Sequence, residues 1–186
     1  SNSWGDAPES RDPALQWGFD ITHSSGFYLG YWASRLTYSY KRVGQSYDQW
    51  KAVTAGVPGA FVQAAPWYDR ETSIENDFYG GYTGKVGDLG YDVGLTYYYY
   101  LEGKYSNAPE TKVKLTYGDF AVSAQTLLED TIWGNRKDTY WTLAWTRALP
   151  YDISFTANVG YYTYGQEGKF LGTRDTTLPG SPSCGA

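Results

Sequence analysis

The chain has 186 residues and a formal net charge of −5, and it holds no block of lysines and arginines, so a nucleic-acid partner gripped through its phosphates is excluded. Hydrophobic residues make up 41% and mean hydropathy is −0.53, and no run of about 18 apolar residues exists, which excludes a membrane-spanning helix but not a barrel, where only alternate residues meet lipid. Twenty tyrosines and eight tryptophans are far more than ordinary usage.

Residues 1–13 are polar and turn-like and read as a loop. Residues 14–23 alternate, with Leu15, Trp17, Phe19 and Ile21 on one face and Gln16, Gly18, Asp20 and Thr22 on the other. Ser24-Ser25-Gly26 makes a hairpin turn. Residues 27–37 follow, with Phe27, Leu29, Tyr31 and Ala33 opposed to Tyr28, Gly30, Trp32 and Ser34. A long connection over 38–72 then carries Lys41-Arg42, a short helix expected around 47–55, and an apolar piece at 57–67 broken by Pro58 and Pro66.

The next strand, 74–86, sets Ile74, Phe78, Tyr82 and Val86 with Asn76, Gly80 and Gly84 against Glu75, Asp77, Tyr79, Thr83 and Lys85. Gly87-Asp88 turns the chain into 89–101, the clearest alternation of all. Leu89, Tyr91, Val93, Leu95, Tyr97, Tyr99 and Leu101 form one face, and Gly90, Asp92, Gly94, Thr96, Tyr98 and Tyr100 the other. A period of two is a strand and not a helix. The first face grades from aliphatic residues to tyrosines, the residue type enriched where a surface passes from hydrocarbon to headgroups.

After a polar loop at 103–109, residues 110–117 set Val113, Leu115 and Tyr117 against Lys112, Lys114 and Thr116. Gly118-Asp119 turns, and 120–128 places Phe120, Val122, Ala124 and Leu128 opposite Ser123 and Gln125. A loop at 129–137 leads to 138–147, with Trp141, Leu143 and Trp145 against Tyr140, Thr142, Ala144 and Thr146. Residues 148–152 turn into 153–163, where Ile153, Phe155, Ala157, Val159 and Tyr161 oppose Ser154, Thr156, Asn158, Gly160 and Tyr162. The remainder is a Gly-, Thr- and Pro-rich tail. Its Cys184 lacks an internal disulfide partner and reads as an incidental tail residue.

The connections alternate in length, short at 24–26, 87–88, 118–119 and 148–152, long at 38–72, 103–109 and 129–137. Short turns on one side and long loops on the other is the pattern of outer-membrane barrels, with the short turns in the periplasm. The fold expected is therefore all-β, a transmembrane antiparallel up-and-down β-barrel in one domain over 1–186, with eight strands visible and 38–72 as a long extracellular loop. Both chain ends then fall on the outer side, whereas such barrels keep an even strand count and both termini in the periplasm. One further strand is expected before Ser1 and at least one after Ala186. The absence of methionine agrees with a processed or truncated chain from which any export signal has gone.

Two stretches, PALQWGFDITHSSGFYLGYWAS at 13–34 and DFYGGYTGKVGDLGYDVGLTYYYY at 77–100, resemble the TorF-type porins of proteobacterial outer membranes. The likeness extends more weakly through 105–117 and 158–164. It implies an outer-membrane β-barrel of about twelve strands when complete, with Ser1-Asn2 at the end of a first strand and about three strands missing after residue 175. The 38–72 loop is longer than that family's usual connection. The N-terminal Ser3-Trp4-Gly5-Asp6 stands where the family has Phe-Arg-Gly. The family carries no catalytic residues to transfer.

Asp20, Glu75, Asp77 and Asp92 fall on the polar face, as do Lys85, Lys112 and Lys114. Charges in a lumen set ion selectivity, and they equally serve as a salt-bridged filling in a narrow barrel. His23 with Ser24 and Ser25 lies in a turn, where turn chemistry explains the serines without a catalytic role. One histidine and one distant cysteine do not make a metal site, and no cofactor is expected. Trp50, Phe61 and Trp67 in the long loop need cover, either by folding into the barrel mouth or by packing on a partner protein, and the bulk of 57–67 favours the partner. The function expected is a passive porin-like channel for small polar solutes or ions in the bacterial outer membrane. The alternative is a closed interaction barrel whose loop holds a partner.

Overall fold

Alternation in the chain becomes eight strands, and the long connection becomes a helix. A computed structural model describes residues 15–36, 39–62, 72–151 and 153–165. In chain order these form β1 (Gln16–Thr22), β2 (Phe27–Leu36), α1 (Tyr40–Thr54), β3 (Ser73–Val86), β4 (Leu89–Tyr100), β5 (Ala108–Tyr117), β6 (Phe120–Leu127), β7 (Thr139–Leu149) and β8 (Ile153–Thr163). The expectations for residues 1–13, Pro66, Trp67 and Cys184 lie outside the described residues.

All eight strands form one antiparallel sheet in the order β1 to β8, each paired with its neighbour in the chain. The expected closure into a barrel is not seen. Among the described residues β1 and β8 stay unpaired with each other, and the two edges are unequal, of seven and eleven residues. The short connections all fall at one end of the sheet and the long ones at the other. Gly87 (φ 59°) and Gly118 (φ 55°) open the two tight turns, in the left-handed backbone region that glycine enters without a Cβ clash.

The two faces differ in composition. One face, here called outer, carries Phe19, Leu29, Phe78, Leu95, Val113, Val122, Leu143, Phe155 and Val159, all exposed. Leu15, Trp17 and Trp141 join them, so every residue expected on the apolar face stands there. Rings pair across neighbouring strands on this face, Phe19 with Tyr31 at 5.8 Å and Tyr31 with Phe78 at 5.1 Å. Nearer the turns, Phe27 meets Tyr82 at 4.9 Å and Trp145 meets Phe155 at 5.8 Å. The inner face holds the carboxylates, lysines, hydroxyls and glycines.

What is buried lies at the long-connection end. Tyr40 at the start of α1 packs on Tyr100 of β4 with ring centroids 4.2 Å apart, and Ile132 completes the cluster. Trp133 stands edge-on to Tyr98 at 5.5 Å and donates its indole N–H to the Ser106 carbonyl at 2.7 Å. Tyr98 and Tyr100 belong to the inner set of β4, so α1 and the 128–138 connection cover the inner face and not the outer one.

Helix α1 is much longer than the helix expected around 47–55. Ser39 caps it, its hydroxyl accepting the Arg42 N–H at 3.3 Å. Gly44 faces Lys104 so closely that an added Cβ would strike the Lys104 backbone. Asp48 then receives Lys104, Lys51 at 2.9 Å and the Tyr105 hydroxyl at 2.7 Å. Partial burial pushes the Asp48 carboxyl up, but these three hydrogen bonds outweigh it and hold the group at about 2. Its folded value thus lies below the unfolded one, about 3.9, so its contribution is complete above pH ~4 and is lost as pH falls through about 2. Amide hydrogen exchange over 40–54 is expected to accelerate between those pH values, with Asp48→Asn already fast at neutral pH. Equal exchange in both proteins at pH 7 would show that Asp48 does not hold the helix down.

Candidate functional site

Inward residues of neighbouring strands meet on the inner face because strand pairing sets them in rows. Register puts Asp77 between Trp32 and Tyr98, Glu75 between Ser34 and Tyr100, and Asp92 between Thr83 and Lys114. All seven charged residues expected on this face, Asp20, Glu75, Asp77, Lys85, Asp92, Lys112 and Lys114, share it. They do not form one group.

Toward the short turns one ion pair forms. Lys112 donates to Asp92 Oδ2 at 2.7 Å, and the Tyr28 hydroxyl donates to Asp92 Oδ1 at 2.7 Å. Tyr28 is on β2 and Asp92 on β4, so this bond passes over β3. It can do so because Gly81 and Gly94 leave the space that the Tyr28 hydroxyl occupies. In the same way Tyr79 of β3 lies over Gly30 of β2 and donates to Asp20 of β1. An open concavity of about 320 Å³ is lined by Asp20, Thr22, Tyr28, Tyr79, Asp92 and Lys112, among others. Side chains from β1 through β5 can line one cavity only if the sheet curls toward that side. Lys85 and Lys114 stand closer to the rim, in a wider open concavity of about 740 Å³ with Thr83, Asp88 and Thr116.

Toward α1 the charges are unmatched. Glu75 is buried, only 8% exposed, and the Tyr100 hydroxyl donates to it. Tyr98 donates to Glu110 at 3.0 Å. Asp77 lies within electrostatic reach of both carboxylates, and its Oδ1 has no hydrogen-bond partner among the described residues. Among the described residues no lysine or arginine forms an ion pair with any of the three. Glu110 was not among the sequence candidates, although it shares the parity of Lys112 and Lys114 on β5 and that parity alone would have found it.

The glycine contacts give a direct test of this wall. A methyl group at Gly30 would collide with the Tyr79 ring, so Gly30→Ala is expected to push that ring off the sheet, break its bond to Asp20, and destabilise the fold by about 1–3 kcal/mol. Urea unfolding of the two proteins checks it, and equal stability would mean the ring has somewhere else to go.

Among the loop candidates, Trp50 is half-buried on α1 and stacks on Tyr47 at 5.8 Å. Phe61 is exposed, as is Val57. His23 accepts the Ser25 backbone N–H on Nδ1 at 3.2 Å and lies 2.7 Å from the Ser25 hydroxyl. Its Nδ1 is thereby engaged in closing the turn. Among the described residues no group of three His, Cys, Asp or Glu residues is arranged to hold a metal ion, and no helix is long and apolar enough to cross a membrane.

Residues 6–170 match the family model described as a bacterial protein of unknown function (Gcw_chp). No curated protein and no solved structure matches the chain.

Proposed function

The chain belongs to the Gcw_chp family of bacterial proteins of unknown function, and from that premise we propose that it is an outer-membrane β-barrel acting as a passive porin-like channel for small polar solutes or ions. One observation carries this reading: the sheet is apolar on its outer face, which stands exposed, and polar on its inner face, which α1 and the 128–138 connection cover toward one end. Leu29, Leu95, Val113, Leu143 and Val159 stand 64%, 48%, 44%, 53% and 69% exposed, while Asp92 and Lys112 pair on the inner side. A protein surrounded by water buries its aliphatic face and hydrates its charges. An exposed apolar face that runs over every strand wants an apolar neighbour, and hydrocarbon supplies one on every strand at once. The tyrosine and tryptophan rings toward the strand ends suit the two lipid–water interfaces. Strands can cross hydrocarbon only where every backbone group is paired, so this reading places β1 and β8 in a closed circuit in the membrane, directly or through further strands.

The resemblance to TorF-type porins supports the same assignment. The acidic trio beneath α1 gives the passage its preference. Asp92 is paired with Lys112, whereas Asp20 is held only by the neutral Tyr79 hydroxyl and keeps its charge, so Asp20 joins Glu75, Asp77 and Glu110 in attracting cations. Reversal potentials of the full-length protein in a planar bilayer test this. Cation preference is expected for the wild type, and Asp77→Asn with Glu110→Gln should move it toward neutrality, whereas Asp92→Asn should change it little. Absence of any conductance would favour the closed interaction barrel instead.

A further inference from the structure

The inner wall also carries flat aromatic surfaces that an ion pathway does not require. We infer that the cavity bounded by β1 to β5 is a binding subsite for a neutral polyhydroxylated ring, the pyranose unit of a small saccharide. The inference deepens the channel reading, on which it rests for the route by which the solute arrives.

The first observation is how the rings are held. Tyr79 lies over Gly30 and lines the cavity, and Tyr28 lies across the Gly81–Gly94 gap with Lys112 Nζ 5.9 Å from its ring centroid. Both hydroxyls are anchored on carboxylates, Tyr79 on Asp20 and Tyr28 on Asp92. Rings held on two sides lose little freedom when a ligand stacks on them, which is the condition for useful affinity from a small contact.

The second observation is the charge pattern of the same cavity. Asp92 has one oxygen on Tyr28 and the other on Lys112. Asp20 has one oxygen on Tyr79, so its second oxygen can accept, and Lys112 has donors beyond the one given to Asp92. Lys112 compensates Asp92 and leaves the single charge of Asp20, so the cavity offers several acceptors beside the lysine donor. They suit a ligand that both donates and accepts, as vicinal hydroxyls do. A pyranose has such an edge and also an apolar face whose C–H bonds, slightly positive, meet the negative face of an aromatic ring. The concavity is open to solvent and its volume, about 320 Å³, is that of one or two such rings, at the lower end of the roughly 300–1,000 Å³ of ligand sites.

Full-length protein in a planar bilayer, with maltose, lactose and cellobiose added in turn, and saturation-transfer NMR of the same sugars with the protein in detergent micelles, tests the inference. At least one sugar is expected to reduce the ion current reversibly and to show saturation transfer to its ring protons. Tyr79→Leu is expected to weaken that binding about ten-fold, the scale of one lost aromatic contact, while Tyr79→Phe, which keeps the ring, should stay within about three-fold of the wild type. Silence of all three sugars in both assays, with normal conductance, overturns the inference and leaves the channel standing. Saturation transfer from a protein that conducts nothing supports the subsite and overturns the channel. Current block by choline in place of the sugars, or equal sugar binding by Tyr79→Leu, also overturns it.

Discussion

Leu143→Lys is expected to destabilise the protein folded in phospholipid vesicles by about 2–4 kcal/mol, the range for a lysine facing hydrocarbon near the bilayer midplane. Thr142→Lys, one residue away on the inner face, is expected to cost no more than about 1 kcal/mol, since it loses only the hydroxyl contact with Ser123. Leu143 pairs with Val122 on one side and Val159 on the other, so the new charge would enter an aliphatic row with no polar neighbour to meet it. Equilibrium urea unfolding in vesicles measures both. The contrast matters because water predicts the opposite order. In an aqueous protein Leu143, 53% exposed, would accept lysine at almost no cost. A Leu143→Lys protein as stable as the wild type would therefore remove the membrane from the proposal.

Removing residues 40–62 is expected to raise single-channel conductance several-fold while the strands still assemble. Tyr40 packs on inward-facing Tyr100, and the Asp48 cluster ties the helix to the 101–107 connection. On the channel proposal the helix narrows the mouth above the acidic trio, and its loss should widen the passage and reduce cation preference as the carboxylates become hydrated. The same deletion also removes Val57 and Phe61. If conductance stays unchanged while a partner is lost from co-purification, the loop serves association and the channel mouth lies elsewhere.

The strands were legible in the sequence because a period of two is a local property. From 14–23 to 153–163, the expected spans agree with the observed ones to within two residues, and seven inward charges were assigned to their face by parity alone, with Glu110 passed over. Helix α1 was seen only in its second half. Its buried residues are Tyr40, Gly44 and Ser46, a sparse and partly polar set that does not read as an apolar stripe. Its cap, Ser39, is followed at the third helical position by Arg42 and not by the glutamate of a capping box. The long-range pairing of inward groups was also hidden. That Tyr28 reaches Asp92 across β3 depends on Gly81 and Gly94 lying beneath it, and nothing in strand parity says which side chains will lean over a neighbour. Whether the outward face meets lipid is a property of the surroundings, which composition favours but cannot fix.

Pairing every strand with its chain neighbour also sets an order of assembly. The tight turns at 87–88 and 118–119 bring β3 to β4 and β5 to β6 almost without loop closure, and β1 meets β2, and β7 meets β8, nearly as cheaply. Such local zipping is fast, because little chain entropy is lost before contacts form. The seam between β2 and β3 is different. It closes residues 37–72, and the logarithmic cost of a loop that long is about 3 kcal/mol. That seam is expected to join late, and α1 lies inside the very segment that must close. A helix formed early shortens the chain to be spanned, so the element that covers the inner face in the finished protein would also hasten the slowest step in building it.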